Sequence, residues 1–209
     1  VQTMLRTFTE VAARYDKEVV FRSWSVGVGA VGNMHTNPET YRFDSYVALR
    51  RPPGWRVHFG ELPAEWDRYD VAYTVECLGR ECRVVDPGPV DPSLAPLARA
   101  VHAAVEAIEE GGPPYNPAVF READGSISVF LTPGTTDPGQ ILFGGDYHVS
   151  VSADGTRVAQ VTPLHRDMHD LEAGLPPGAT PMGTTFTNVL SDLPPVTDVM
   201  LVLLHAAAA

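Results

Sequence analysis

Lysine is almost missing from this chain of 209 residues: Lys17 stands alone beside 14 arginines scattered along the sequence. The net charge is −11. Binding to a nucleic-acid backbone gains affinity from clustered cations that release counterions. Their absence speaks against nucleic acid, and against an anionic membrane, as the main partner. No apolar run reaches the ~18–20 residues that a membrane span needs; the longest candidate, Val199 to Ala209, is short and interrupted by His205. A Gly-x-Ser-x-Gly nucleophile elbow is absent, and the glycines of Gly27-Val-Gly-Ala-Val-Gly32 are not followed by the Lys-Ser/Thr of a P-loop, so a strand ending in a glycine-rich bend is the expectation there. The chain begins at Val1 and ends in four alanines. The expected location is the cytoplasm, with secretion left open because a trimmed leader is compatible with such a start.

Cysteine is scarce too. The two sit together in Cys77-Leu-Gly-Arg-Glu-Cys82, between two apolar runs. Two reduced, half-buried thiols are the favoured reading. A disulfide across a four-residue hairpin loop is the alternative. One cysteine pair cannot complete a zinc site unaided.

What remains is an ordinary globular composition, 44% apolar and 20% charged, with ample length for a core. The pattern predicts one α+β domain over 1–209, with subdivision near 87–92 or 111–115 as an option. Its frame is an antiparallel, hairpin-rich sheet packed by two amphipathic helices. The first helix covers Thr3 to Asp16, where Leu5, Phe8, Val11, Ala12 and Tyr15 share a face. The second runs from Pro92 to Glu110, with Asp91 as N-cap, proline at the first turn and Gly111-Gly112 as the stop. Its buried stripe is Leu94, Leu97, Ala98, Val101, Val105 and Ile108, with His102 at the boundary. Strands are expected over Val19–Val28, Tyr41–Leu49, Trp55–Phe59 and Val71–Cys77. After Pro113-Pro114 the period changes to alternation, with strands at Ile127–Leu131 and Tyr147–Val151. Asp124-Gly125 and Asp154-Gly155 mark two turns at a 30-residue offset, expected to close successive hairpins of one sheet. The last two expected strands are Thr184–Leu190 and Val196–Leu204.

Chemistry concentrates in Leu164-His-Arg-Asp-Met-His-Asp170. On a helix, His165 and His169 lie one turn apart, the spacing of two-histidine metal sites. Asp146 and His148, in Gly144-Gly-Asp-Tyr-His148, are the further candidate ligands. His35 and Trp24 are candidate ligand-binding residues around a polar loop.

Two segments resemble known families. Val19 to Tyr41 is similar to a barrel strand and following loop of bacterial α-glucuronidase-like glycoside hydrolases, which implies glycan binding or cleavage through His35 and Trp24. Tyr115 to Leu204 resembles the C-terminal part of uncharacterised bacterial proteins. The shared features are Gly144-Gly-Asp-Tyr147, Asp154-Gly155, Leu164-His165, Val189-Leu-Ser-Asp192 and Thr197-Asp-Val199. Those proteins carry a His-Thr-His motif similar to the paired histidines of JAMM-type metalloproteases. Here its place is taken by Phe186-Thr187-Asn188, which implies a degenerate enzyme relative. The leading expectation is therefore a non-catalytic binding or interaction domain for a protein or small-molecule partner, without a cofactor. A zinc-dependent hydrolase using His165 and His169 is the alternative, and a glycan-binding or glycoside hydrolase-like fragment the third.

Overall fold

The computed structural model describes residues 45–78, 81–108, 112–134, 142–170 and 194–198. The expected helix at Thr3–Asp16, the strands at 19–28 and 184–190, and the candidate residues Trp24, His35, Phe186 and Asn188 lie outside the described residues.

The first sheet grows by consecutive antiparallel pairing of β1 (Ser45–Arg51), β2 (Gly54–Glu61), β3 (Asp70–Leu78) and β4 (Glu81–Val85). Arg51-Pro-Pro-Gly54 makes the first turn, and Gly54 fits because a Cβ there would meet the Cys77 carbonyl oxygen at 2.1 Å. Trp55, Val57, Phe59, Tyr73, Val75 and Cys77 cluster together, the period-2 signature of one sheet face. In the register Cys77 stands opposite Cys82. Cys77 is disulfide-bonded, so the expectation of reduced thiols is corrected. The antiparallel register that sets Cys77 against Cys82 brings the two backbones within bridging distance.

One helix follows, α1 (Leu94–Glu106). It starts two residues later than expected, because Asp91 caps a preceding turn rather than the helix. Its Oδ1 accepts from the Ser93 amide at 2.9 Å and from the Ser93 hydroxyl at 2.6 Å. Leu94, Leu97, Ala98 and Val101 are buried as the periodicity requires, whereas Val105 is 42% exposed and leaves the stripe.

The second sheet has the order β5-β6-β8-β9, from β5 (Tyr115–Arg121), β6 (Ile127–Pro133), β8 (Tyr147–Val151) and β9 (Val158–Pro163). β5 and β6 pair antiparallel across the turn at Asp124-Gly125, and β8 and β9 across the turn at Asp154-Gly155. Both glycines have positive φ, 88° and 79°, where a side chain is strained. Each aspartate accepts a bond from the backbone amide two residues on, the Asx geometry these residues favour. Gly155 also presses against α1: a Cβ there would meet the Pro96 carbonyl oxygen at 2.0 Å. The helix stripe, Ile127, Val129 and Leu131 of β6, Val149 and Val151 of β8, and Val47 and Tyr69 of the first sheet's region form one core cluster. The described architecture is thus mostly antiparallel β with one helix. No helix among the described residues is long and apolar enough to cross a membrane.

Two short strands complete it. β7 (Leu142–Gly144) pairs antiparallel with β10 (Met168–Asp170). The expected strand from Val196 is corrected at its start, because Val196, Thr197 and Asp198 are helical. Pro194-Pro195 sets the backbone φ suited to a first helical turn, and the Asp198 amide donates to the Pro195 carbonyl at 3.2 Å.

Candidate functional site

The site is built where β7 hands over to β8. Gly144 and Gly145 have φ of 78° and 71°, and two left-handed residues in a row turn the chain sharply before Asp146. Gly144 has no room for a side chain, since a Cβ would lie 2.2 Å from the Asp167 carbonyl oxygen and 3.3 Å from His165 Cβ. Only glycine lets the 164–168 segment lie this close. The Leu164 amide then donates to the Asp146 carbonyl at 2.9 Å, which fixes His165 beside Asp146.

His165 is held from both edges. Nδ1 bonds Asp146 Oδ1, and Nε2 lies 3.0 Å from Asp198 Oδ1. The side chains are 12%, 4% and 15% exposed for His165, Asp146 and Asp198, and the Phe143 ring packs edge-on, 5.1 Å between centroids. A neutral imidazole has one N–H, and two carboxylate oxygens need two donors. With both carboxylates ionised, a ring that donates to each of them is an imidazolium. Burial alone would push its pKa down, but the hydrogen bonds and charges of Asp146 and Asp198 outweigh this and raise it to about 10. Burial also lifts the Asp198 carboxyl above its ordinary range, with His165 opposing and Asp146 adding to the rise.

Of the four residues expected as metal ligands, the structure brings Asp146 and His165 together and leaves the others elsewhere. Residues 164–167 are a bend rather than a helix, so His165 and His169 do not share a helix face. His169 sits in β10 opposite Phe143. The pairing of β10 with β7 overrides the helical spacing of the two histidines. His148, on β8, stacks on Phe130 with centroids 4.6 Å apart and bonds Ser128 Oγ through Nε2 at 3.0 Å; burial lowers its pKa. Asp198 is the residue that sequence reasoning did not assign to the site. Its signal was the Val196-Thr197-Asp198 segment directly after Pro194-Pro195.

Asp146, His165 and Asp198 each offer one ligand atom within 4.8 Å of the others, and imidazole with two carboxylates suits zinc or manganese. A metal needs a nitrogen lone pair, however, and both ring nitrogens here face carboxylate oxygens. Taking a proton from a ring with a pKa of about 10 at pH 7 costs about a thousandfold in affinity, ~4 kcal/mol. The donor types fit a metal, and a metal would compete with the ring proton for the same two carboxylates. Comparison with family models, curated proteins and solved structures finds no match.

Proposed function

We propose that this chain is a non-catalytic binding domain in which Asp146, His165 and Asp198 form a structural ion clamp. The observation that carries this reading is the engagement of both His165 ring nitrogens by buried carboxylates. A general base needs a free lone pair on one nitrogen and access to the proton it takes. His165 offers neither in this arrangement. The clamp instead ties the helical turn at 196–198 to the junction of β7 and β8. Close by, Val196 packs with Ala118 and Phe130 in a small apolar cluster.

One observation favours a second reading, a metal-dependent hydrolase. The three side chains converge closely enough to share an ion, and Asp146 could orient His165 while Nε2 and Asp198 ligate. Calorimetric titration of chelator-treated protein with zinc and with manganese separates the two. The clamp predicts no stoichiometric binding of either metal at pH 7. Submicromolar zinc binding that disappears in Asp198→Asn would establish the metal centre and overturn the clamp.

A further inference from the structure

We propose that the disulfide between Cys77 and Cys82 is a redox latch on β4, which thiol reductants open and which thereby bares the edge of β3. It lies apart from the ion clamp and does not depend on it. The chain has two cysteines, neither of them free, and the register sets Cys77 of β3 opposite Cys82 of β4. β4 ends its sheet, and β3 is its only sheet neighbour among the described residues.

The two strands that the bridge joins are held very differently. Cys77 is 1% exposed and sits in the apolar cluster with Trp55, Phe59 and Val75. β4 has five residues, and none of its described side chains belongs to a core cluster. Val84 is 58% exposed. Arg83 reaches Glu76 at 3.0 Å with its own side chain 77% exposed, a pairing of little worth in water. Besides the disulfide, β4 is kept in place by its backbone ladder with β3, and a ladder without a buried face is marginal by itself.

Four residues separate the cysteines, and the constraint a disulfide puts on the unfolded chain grows with loop length. So short a loop adds little to global stability, and its effect is local. The bond keeps β4 on β3, and a docked β4 keeps the two sulfurs together, by the same coupling. Once β4 frays, Cys82 seldom meets Cys77. The effective concentration of one thiol for the other then falls, which favours the reduced form. Reduction consumes two thiols of a reductant such as glutathione. Cys77 is buried, so the first thiolate attacks Cys82 on the edge strand. The S–S bond breaks, and its electron pair leaves on the Cys77 sulfur, which takes up a proton. The second thiolate attacks the mixed disulfide, forms the reductant's own disulfide and releases Cys82, which is protonated in turn. Two electrons and two protons pass to the protein.

The test is amide hydrogen exchange of the full chain in glutathione buffers from fully oxidised to fully reduced, with thiols counted by alkylation and mass. The expected result is a reversible transition that yields two thiols within that range. In the reduced chain the amides of β4, and those of β3 that pair with it, should exchange at least about tenfold faster, while α1, β5, β6, β8 and β9 keep their protection. Cys82→Ser, which leaves Cys77 in the core, should show the fast pattern in every buffer. A disulfide that stays closed in fully reduced glutathione overturns the proposal. So does unchanged exchange in β4 after reduction or in Cys82→Ser, and so does loss of protection across the whole chain, which would make the bond a support of the entire fold.

Discussion

Replacing His165 by glutamine removes the cation between two buried carboxylates, and the consequence for stability depends on pH in a way the geometry dictates. The unfolded ring titrates near 6.5 and the folded ring near 10. Below about pH 6.5 both forms are protonated, and the clamp contributes its full stabilisation. Between 6.5 and 10 the unfolded chain has released the proton that the folded chain keeps, so stability falls steadily as pH rises. Above about 10 the contribution is gone. At about 1.4 kcal/mol for each tenfold change in proton affinity, the upper bound is ~5 kcal/mol. Water reaches the 12% of the side chain that remains exposed, and screening reduces the expected value to roughly 2–3 kcal/mol. Urea denaturation at intervals from pH 6 to pH 10.5, with chelator throughout, reads this directly. The parent chain should lose roughly 2–3 kcal/mol across the window relative to His165→Gln, whose profile lacks this component. At pH 6.5 the variant itself should be less stable by about 3–5 kcal/mol, the cost of leaving buried charge unpaired. Parallel profiles for the two proteins would refute the clamp, because they would mean the ring titrates alike in the folded and unfolded chain.

Further outcomes follow from the packing. Val101→Asp should cost several kcal/mol by burying an unpaired carboxylate, whereas Val105→Asp, at an exposed position, should shift stability by less than about 0.5 kcal/mol; thermal melts of the pair check the helix orientation. Gly155→Ala should cost at least about 2 kcal/mol, because a left-handed backbone and a 2.0 Å approach to the Pro96 carbonyl leave no room for a methyl group; Gly125→Ala meets nothing within 4 Å and should cost only the backbone strain, about 1 kcal/mol. Ile127→Ala, at a fully buried core position, should cost about 2–5 kcal/mol by chemical denaturation.

Features decided by neighbouring residues were the legible ones. Asp-Gly at 124 and 154 fixes turn chemistry within four residues, and the strands beside each turn pair through it. The Leu94–Val101 stripe was legible because its period is internal to the helix. The helix start was displaced because Asp91 has two uses, as an N-cap and as an Asx acceptor for Ser93, and sequence does not rank them. Val105 fits the helical period yet is 42% exposed, while its neighbour Ala104 is fully buried, so the packed stripe runs along the Ala104 side of the helix. The site was half legible. Asp146 and His165 stood out as ionisable groups, but their junction depends on Gly144 approaching the 164–168 segment, a tertiary contact. His169 was drawn toward the site by helical spacing that the β7–β10 pairing overrides. Asp198 was hidden in an apolar run that reads as a strand; the two prolines before it were the overlooked signal.

The state of the His165 ring tests the central claim most directly. Long-range proton–nitrogen correlation of the imidazole at pH 8.5 in metal-free protein distinguishes one ring proton from two. The clamp predicts that both nitrogens carry protons, with hydrogen-bonded proton signals that disappear in Asp146→Asn or Asp198→Asn. A neutral ring with one bare nitrogen at pH 8.5 would contradict the clamp and return His165 to the list of candidate bases and metal ligands.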